Sequence, residues 1–263
     1  MSHSTAAKPV ALITGSSTGI GAVYADRLAK RGYDLVLVAR NGKRLEQVAA
    51  PLRDAGTQVE VITADLTEHD DLLRVEDYLR RHPEISLLVN NAGTTTAGGF
   101  GDTDVESVDH LIRLNVTSVA RLSRVALDGL LKHKDGAIIN IASVMAFAPE
   151  LNKAVYTATK SFVLTFSQTL QNELAEKGLY VQAVLPAATR TEIWDHAGQN
   201  VDDLSGVMEV ADLVDAALVG FDRKEKVTIP PLQDEQLWND HETTRLGLLT
   251  NFAHSTPGAR YSN

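Results

Sequence analysis

Cysteine is absent from the 263-residue chain, and its absence removes several kinds of chemistry. Without a thiol the protein forms no disulfide, has no thiolate nucleophile and offers no cysteine ligand to zinc. The composition is compatible with a reducing compartment. We expect no metal site.

Positive charge is also scarce, because 34 Asp and Glu outnumber 25 Lys and Arg and give a formal net charge of −9. Phosphate binding needs a basic face and no basic cluster here is long, so nucleic acid is not an expected partner. The sequence also lacks an apolar run long enough to span a bilayer, and residues 1–8 lack the features of a signal peptide. We therefore expect a soluble, cytoplasmic protein without a membrane partner.

The residues that are present alternate between short apolar strands and amphipathic helices. A content of 44% hydrophobic residues allows a substantial core, and strands that alternate with helices form parallel sheets. We predict an α/β fold with a doubly wound parallel sheet of about seven strands and helices on both faces. One domain is expected over residues 1–263, with a flexible tail at 1–8, a substrate loop at 187–206 and a C-terminal tail at 232–263.

A glycine-rich loop follows the first predicted strand, residues 10–13. It contains Gly15, Gly19 and Gly21, and apolar residues at helical spacing come after it. Such a loop brings backbone N–H groups close to a pyrophosphate at a helix N-terminus, whereas a lone glycine triplet more often forms only a tight turn. A second strand, residues 34–39, completes a βαβ unit of the dinucleotide-binding, Rossmann type.

Arg40 ends the second strand, at the position that selects between the two nicotinamide dinucleotides. An acidic residue there accepts from the ribose 2′-hydroxyl of NAD, and an arginine accommodates the 2′-phosphate of NADP. Asn41, Lys43 and Arg44 follow, so we predict a cationic pocket and NADP(H) rather than NAD(H). The alternative is that these residues are the solvated start of the next helix, residues 43–55.

Two further strand ends carry polar residues at the same predicted sheet edge. Asp65 follows the third strand, where it can accept from an adenine amino group or serve only as a loop or capping residue. The fourth strand leads into the small, amide-rich turn Asn90-Asn91-Ala92-Gly93. This turn suits packing against a cofactor, and it equally suits a turn that only steadies the sheet.

Asn115 lies on the apolar stripe of a helix predicted over residues 105–131. A polar side chain on an apolar face needs a partner. Asn115 either hydrogen-bonds to a neighbouring strand or takes part in a proton or water relay, and the sequence leaves both alternatives open.

Tyr156 and Lys160 are four residues apart in a long predicted helix, and Ser143 ends the strand before it. Residues four apart share one helix face, so the phenol and the ammonium lie side by side. A neighbouring cation stabilises the phenolate, so we expect the pKa of Tyr156 to fall from its ordinary value of about 10. The spacing alone also occurs by chance in surface helices.

Together, these motifs resemble the short-chain dehydrogenase/reductase family, in its short single-domain branch. The matching signatures, in family order and spacing, are Thr14-Gly15-x-x-x-Gly19-Ile20-Gly21, Asp65, Asn90-Asn91-Ala92-Gly93, Asn115, Ser143 and Tyr156-x-x-x-Lys160. Each is weak alone, and their conjunction is very specific. The resemblance implies hydride transfer between NADP(H) and a carbonyl or secondary alcohol substrate.

The resemblance also implies a role for each residue. Tyr156 is expected to be the general acid or base, and Lys160 to lower its pKa and bind the nicotinamide ribose. Ser143 would hold the substrate oxygen, and Asn115 a water that links Lys160 to solvent. The implied cofactor-binding residues are Gly15, Ser17, Thr18, Gly19, Ile20, Gly21, Arg40, Asp65, Leu66, Asn91, Ala92, Gly93, Tyr156, Lys160, Pro186 and Thr191.

One position departs from the family pattern. After the sixth strand the family has Pro-Gly, and this chain has Pro186-Ala187. If that position requires a positive φ or a close backbone approach, alanine there costs about 1 kcal/mol, and the cofactor's placement over Tyr156 is affected.

The expected substrate is an apolar ketone or aldehyde, because the candidate pocket residues are mainly apolar, although they equally suit lid packing. They are Met145, Phe147, Leu151, Ile193 and Trp194, with Thr94, Thr95 and Thr96 adding polarity. Arg190 and His196 are candidate anchors for an anionic substrate.

Two other functions remain open: a catalytically silent NADP(H)-binding sensor or scaffold, and an epimerase or dehydratase on a related scaffold. The presence of Ser143, Tyr156 and Lys160 argues against the first, and glycine spacing and chain length argue against the second. By family resemblance, a homodimer or homotetramer is expected through the helices at residues 105–131 and around Tyr156.

Overall fold

The computed structural model describes residues 8–261, which divide into a compact unit ending at Pro230 and a second beginning at Pro231. The flexible tail predicted for residues 1–8 lies outside the described residues, apart from Lys8, whose Nζ is 3.7 Å from Asp34 Oδ1. The single-domain interpretation covers both units and stays a prediction.

A parallel sheet forms the centre of the first unit. Its strands are β1 (Val10–Thr14), β2 (Asp34–Ala39), β3 (Val59–Thr63), β4 (Ile85–Asn90), β5 (Ala137–Ile141), β6 (Tyr180–Val184) and β7 (Val227–Thr228). Within the described chain these seven strands pair in the order β3-β2-β1-β4-β5-β6-β7. The predicted fold class is confirmed.

Helices cover both faces of this sheet. They are α1 (Gly19–Lys30), α2 (Gly42–Asp54), α3 (His69–Arg81), α4 (Val105–Ile112), α5 (Ser118–Leu130), α6 (Ala154–Leu174), α7 (Ile193–Ala197) and α8 (Val210–Asp222). Tyr24, Leu45 and Leu213 are buried in the apolar layer under α1, α2 and α8. Leu122 and Leu174 lie in the opposite layer with α3, α5 and α6. Burial of each such side chain stabilises the fold by about 1.5–3 kcal/mol, so both layers hold the sheet firmly.

The strand order reverses between β1 and β4, which are neighbours although they are distant in sequence. In open parallel sheets, ligands bind beyond the carboxyl ends of the strands at such a switch point. The glycine loop after β1 and the turn after β4 therefore lie together at the edge where such sheets bind their ligands.

The structure differs from the sequence prediction in three places. The helix predicted over residues 105–131 is divided by a π-helical segment, Arg113–Thr117, between α4 and α5. The predicted loop at 187–206 contains α7 and a 3₁₀ turn, Val201–Asp203. The C-terminal tail, described as the second unit, contains a helix, α9 (Glu235–Leu249), without a buried residue.

Among residues 8–261, no helix combines the length and the apolar character that crossing a membrane requires. The same residues contain no cluster of three histidine or carboxylate side chains that could hold a metal ion.

Candidate active site

The glycine loop joins β1 to α1 with very little space around its backbone. Gly15 and Gly19 have φ values of +66° and +55°, in the left-handed region that favours glycine. A Cβ at Gly15 would lie 2.8 Å from the Ala92 Cα, and a Cβ at Gly21 would collide with the Gly15 carbonyl. These glycines therefore allow the loop to pack directly on the turn after β4.

Thr14, the first residue of the glycine signature, fixes this packing. Its hydroxyl accepts hydrogen bonds from the N–H groups of Asn91 and Ala92, both at 3.0 Å. The Asn91 amide donates to the carbonyls of Thr14 at 2.9 Å and Gly15 at 3.0 Å. The turn thus steadies the sheet edge and the glycine loop together.

The N-terminus of α1 fits an anion. Thr18 is the N-cap residue but makes no side-chain cap hydrogen bond, and the first turn of this helix contains no acidic residue. The N–H groups of a first helical turn lack helical acceptors and carry the positive end of the helix dipole. Ser17, Gly19 and Ile20, partly exposed beside Thr18, therefore surround a place suited to a pyrophosphate.

Arg40 and Asp65 follow β2 and β3 and form a loose pair. The Arg40 side chain is 56% exposed, and its Nη1 lies 3.8 Å from Asp65 Oδ2. Asp65 Oδ1 accepts from the N–H and the hydroxyl of Thr67, at 3.0 and 2.7 Å, so this carboxylate also has the loop role considered above. Exposed ion pairs contribute about 0–1 kcal/mol, so little holds the Arg40 guanidinium away from a phosphate.

The residues that follow Arg40 form the start of α2, which agrees with the alternative interpretation that they are the beginning of the next helix. Asn41 is the N-cap, and its side chain accepts from the N–H of Arg44 at 3.1 Å. The Arg44 guanidinium donates to Glu192 at 2.7 Å and so links α2 to the segment after β6.

Asn115 lies in the π-helical segment and is 1% exposed. Its Oδ1 accepts from the N–H of Thr94 at 3.0 Å, and its Nδ2 donates to the Thr94 carbonyl at 3.0 Å and to Thr159 Oγ1 at 3.2 Å. Thr159 in turn donates to the Tyr156 carbonyl at 2.7 Å. Single π turns often mark functional sites, and this one joins α4 and α5 to the helix that contains Tyr156. No sequence motif marks Thr159 for this role.

Ser143, Tyr156 and Lys160 converge where β5 ends and α6 begins. Ser143 is 6% exposed, and its hydroxyl acts on the Tyr156 phenol by lowering the pKa of that group. Its hydroxyl also donates to the Pro186 carbonyl at 3.3 Å. Lys160 is 6% exposed, donates to the Ile141 carbonyl at 2.9 Å and places Nζ 5.7 Å from the centre of the Tyr156 ring. The residues predicted to be catalytic thus meet at one point.

The protonation of this site differs from the sequence expectation. Burial raises the pKa of Tyr156 to about 12, and the Ser143 hydroxyl offsets only part of that rise. Burial lowers the pKa of Lys160 to about 8. Loss of solvent disfavours both charged forms, an effect that helical spacing alone does not reveal. At neutral pH the phenol is therefore protonated and the amine is mostly charged.

Ala187 introduces no left-handed strain. The described non-glycine residues with positive φ are Asn152 and Lys224, so the backbone at Ala187 lies outside that region. The Ala187 carbonyl accepts from the Thr189 hydroxyl at 3.0 Å. The cost that a positive φ would impose on alanine is therefore absent, and the effect of a close approach by the cofactor stays a prediction.

The segment at 187–206 is fixed by its own contacts. Arg190 donates to Asp202 at 2.6 Å and to Glu209 at 2.9 Å, and the Trp194 indole donates to the Thr189 carbonyl at 2.7 Å. Arg190 is therefore paired with carboxylates, which makes it a poor anchor for an anionic substrate.

A cleft of about 530 Å³ opens beside these elements. Its lining is polar and consists of Arg40, Thr67, Glu68, Thr94, Thr95, Thr96, Glu106, Ser107, Asp109, His110, Arg113 and His196. The three predicted threonines and His196 are among them, whereas the predicted apolar residues are not. Phe147 and Leu151 are instead 38% and 58% exposed.

Known proteins match this chain over most of its length. The short chain dehydrogenase family model matches residues 9–202. A short-chain dehydrogenase from Sphingobium yanoikuyae in complex with NADPH is 51% identical, with a TM-score of 0.94 over 97% of this chain and 100% of that chain. The bulky-bulky ketone specific alcohol dehydrogenase from Comamonas testosteroni, in its orthorhombic crystal form, is 46% identical, with a TM-score of 0.90 over 97% and 99%.

A sequence relative agrees with the solved structures. An uncharacterized oxidoreductase from Staphylococcus epidermidis is 33% identical over 228 residues, which are 85% of this chain and 97% of that protein. The family resemblance inferred from the motifs is thereby confirmed. The chain belongs to the short-chain dehydrogenase/reductase family.

Proposed function

We propose that this enzyme is an NADP(H)-dependent oxidoreductase that interconverts a ketone and a secondary alcohol, with Tyr156 as the general acid or base. The observation that carries the proposal is the convergence of three side chains where β5 meets α6: Ser143 at the end of the strand, Tyr156 in the first turn of the helix, and Lys160 with its Nζ 5.7 Å from the centre of the Tyr156 ring. A carbonyl oxygen that gains negative charge is stabilised by donors already directed at it. A hydroxyl and a protonated phenol are such donors.

NADP(H) is the proposed cofactor because two features fit its phosphates. The uncapped first turn of α1 suits the pyrophosphate, and the exposed Arg40 guanidinium suits the 2′-phosphate. The similar Sphingobium enzyme was solved in complex with NADPH. When bound, the cofactor supplies the hydride. The remaining contacts are proposed for Asp65, Leu66, Asn91, Ala92, Gly93, Pro186 and Thr191.

In carbonyl reduction, the Tyr156 hydroxyl transfers its proton to the substrate oxygen as that oxygen becomes an alkoxide. Burial keeps this proton on the phenol at neutral pH, which is the state that a general acid requires. The Lys160 ammonium, oriented by the Ile141 carbonyl, stabilises the phenolate that remains. Ser143 donates to the same substrate oxygen by exchanging its weak 3.3 Å bond to Pro186. Oxidation of an alcohol reverses these steps.

Asn115 acts on this site through its hydrogen bonds to the backbone of Thr94 and to the hydroxyl of Thr159. Its amide fixes Thr94 and Thr159, and Thr159 borders both Tyr156 and Lys160 in α6. The water that family resemblance assigns to Asn115 stays a prediction.

Ketones with apolar substituents are the proposed substrates. The similar Comamonas enzyme is a bulky-bulky ketone specific alcohol dehydrogenase. Phe147 and Leu151, exposed between Ser143 and α6, would contact an apolar substituent. The test is NADPH oxidation with a panel of aryl and alkyl ketones, aldehydes and quinones, for which we expect turnover of at least one bulky ketone. Tight NADPH binding without turnover of any carbonyl or alcohol would instead favour a sensor or scaffold.

Reduction should depend on pH through Lys160. The amine is charged below its pKa of about 8 and neutral above it, so the cation that stabilises the phenolate is lost as the pH rises. We therefore expect kcat/KM for ketone reduction to fall through about pH 8, measured as initial rates at substrate concentrations well below KM. Lys160→Arg keeps its charge, since arginine titrates above about pH 12, so its lower activity should lack this limb. The same limb in both proteins would exclude Lys160 as its source.

The homodimer or homotetramer and the cytoplasmic location are also proposals. Light scattering of the purified protein measures the first, and a single-chain mass would rule it out.

A further inference from the structure

Lys153 makes an unusual pair of contacts immediately before α6. Its ammonium donates to the carbonyl oxygens of Thr96 at 3.1 Å and Gly98 at 2.9 Å. Both acceptors are backbone carbonyl oxygens rather than carboxylates. Hydrogen bonds from a charged donor are stronger than those from a neutral donor, so the Lys153 side chain holds residues 94–98 against the start of α6.

The same segment is held at its other end by Asn115, through two bonds to the backbone of Thr94. Gly98, at φ +67°, provides the turn that presents the last carbonyl to Lys153. Residues 94–98 are therefore fixed between Asn115 at one end and Lys153 at the other. Asn115 contacts Thr159 in α6, and Lys153 immediately precedes α6, the helix that contains Tyr156.

The segment also meets the loop at 187–206. A Cβ at Gly198 would lie 3.4 Å from the Ala97 Cβ, so the two backbones pass closely. Thr94, Thr95 and Thr96 line the cleft together with His196 from that loop. The position of residues 94–98 thus sets one wall of the cleft and the surface that the loop contacts.

We propose that Lys153 is a positioning residue that determines substrate specificity by fixing residues 94–98 relative to Tyr156. The inference rests on the proposed function, because it concerns the pocket for the ketone. Lys153 is not one of the residues proposed to transfer the proton. Removing its ammonium should therefore weaken the binding of a large substrate more than it slows the chemical step.

Lys153→Met tests this, since methionine keeps an unbranched apolar stem but removes the donor. For a bulky ketone we expect KM to rise about tenfold while kcat and the NADPH dissociation constant change by less than about threefold. Lys153→Arg keeps a cationic donor and should restore most of the loss. Lys134→Met, in the exposed turn before β5, removes the same charge elsewhere and should behave as wild type.

Amide hydrogen exchange gives a second readout that does not need turnover. Exchange at residues 94–99 should accelerate in Lys153→Met and stay unchanged in Lys134→Met. If the wild-type protein reduces no ketone, the proposed function fails, and unchanged exchange in Lys153→Met would then also overturn the inference. If the wild type is active, an unchanged KM in Lys153→Met overturns it whatever the exchange shows.

Discussion

Replacing Tyr156 with phenylalanine is expected to lower kcat for ketone reduction by about 10³-fold, because the substitution removes the proton donor at the reacting oxygen. Ser143 and Lys160 remain, but neither is in a position to replace a phenol that the surrounding protein keeps protonated. The ring that packs near Lys160 is retained, so NADPH affinity should change by less than about threefold. Initial rates of NADPH oxidation and fluorescence titration of NADPH measure the two effects.

Tyr78→Phe is the matched control. Tyr78 lies in α3, a different helix from the one that contains Tyr156, and its hydroxyl donates to Glu60 in β3 at 2.6 Å, so kcat should be unchanged. A Tyr156→Phe enzyme that keeps more than about a tenth of wild-type kcat would be inconsistent with general acid catalysis by this residue.

Replacing Arg40 with alanine is expected to weaken NADPH binding by about 10- to 100-fold, or roughly 1.4–2.8 kcal/mol. The guanidinium is more than half exposed and is only loosely paired with Asp65, so a phosphate can recruit it at little cost. NADH lacks the 2′-phosphate, and its dissociation constant should change by less than about threefold. Isothermal titration with both cofactors measures the ratio.

Arg124→Ala removes a 70% exposed arginine from α5 and serves as the control for net charge. Its effect on either cofactor should be small, because surface charges more than about 10 Å away are screened by salt. Equal losses of NADPH and NADH affinity in Arg40→Ala would show that Arg40 does not contact the 2′-phosphate.

The sequence predicted the sheet and its ligand-binding edge because both depend on short-range patterns. Apolar strands that alternate with helices dictate parallel pairing, and the residues after strand ends then gather at one edge. Gly15, Asp65, Asn91 and Ser143 all lie where this rule places them. Four-residue spacing likewise placed Tyr156 beside Lys160.

Features that depend on tertiary contacts were missed. The pKa of Tyr156 was expected to fall because of a neighbouring cation, and it rises because burial removes solvent from the phenol. The π-helical segment contains Asn115, and no helical periodicity encodes the bonds of this residue to Thr94 and Thr159. The contact of Lys153 with residues 96 and 98 spans more than fifty positions, so no local pattern contains it.

Transfer of deuterium to a bulky ketone, from NADPH that carries deuterium at both C4 positions of the nicotinamide, tests the central claim most directly. The proposed mechanism predicts one deuterium on the carbinol carbon of the alcohol for each NADPH oxidised, with no such product from Tyr156→Phe on the same timescale. An alcohol without the label, or stable binding of NADPH with no alcohol from any ketone tested, would contradict it.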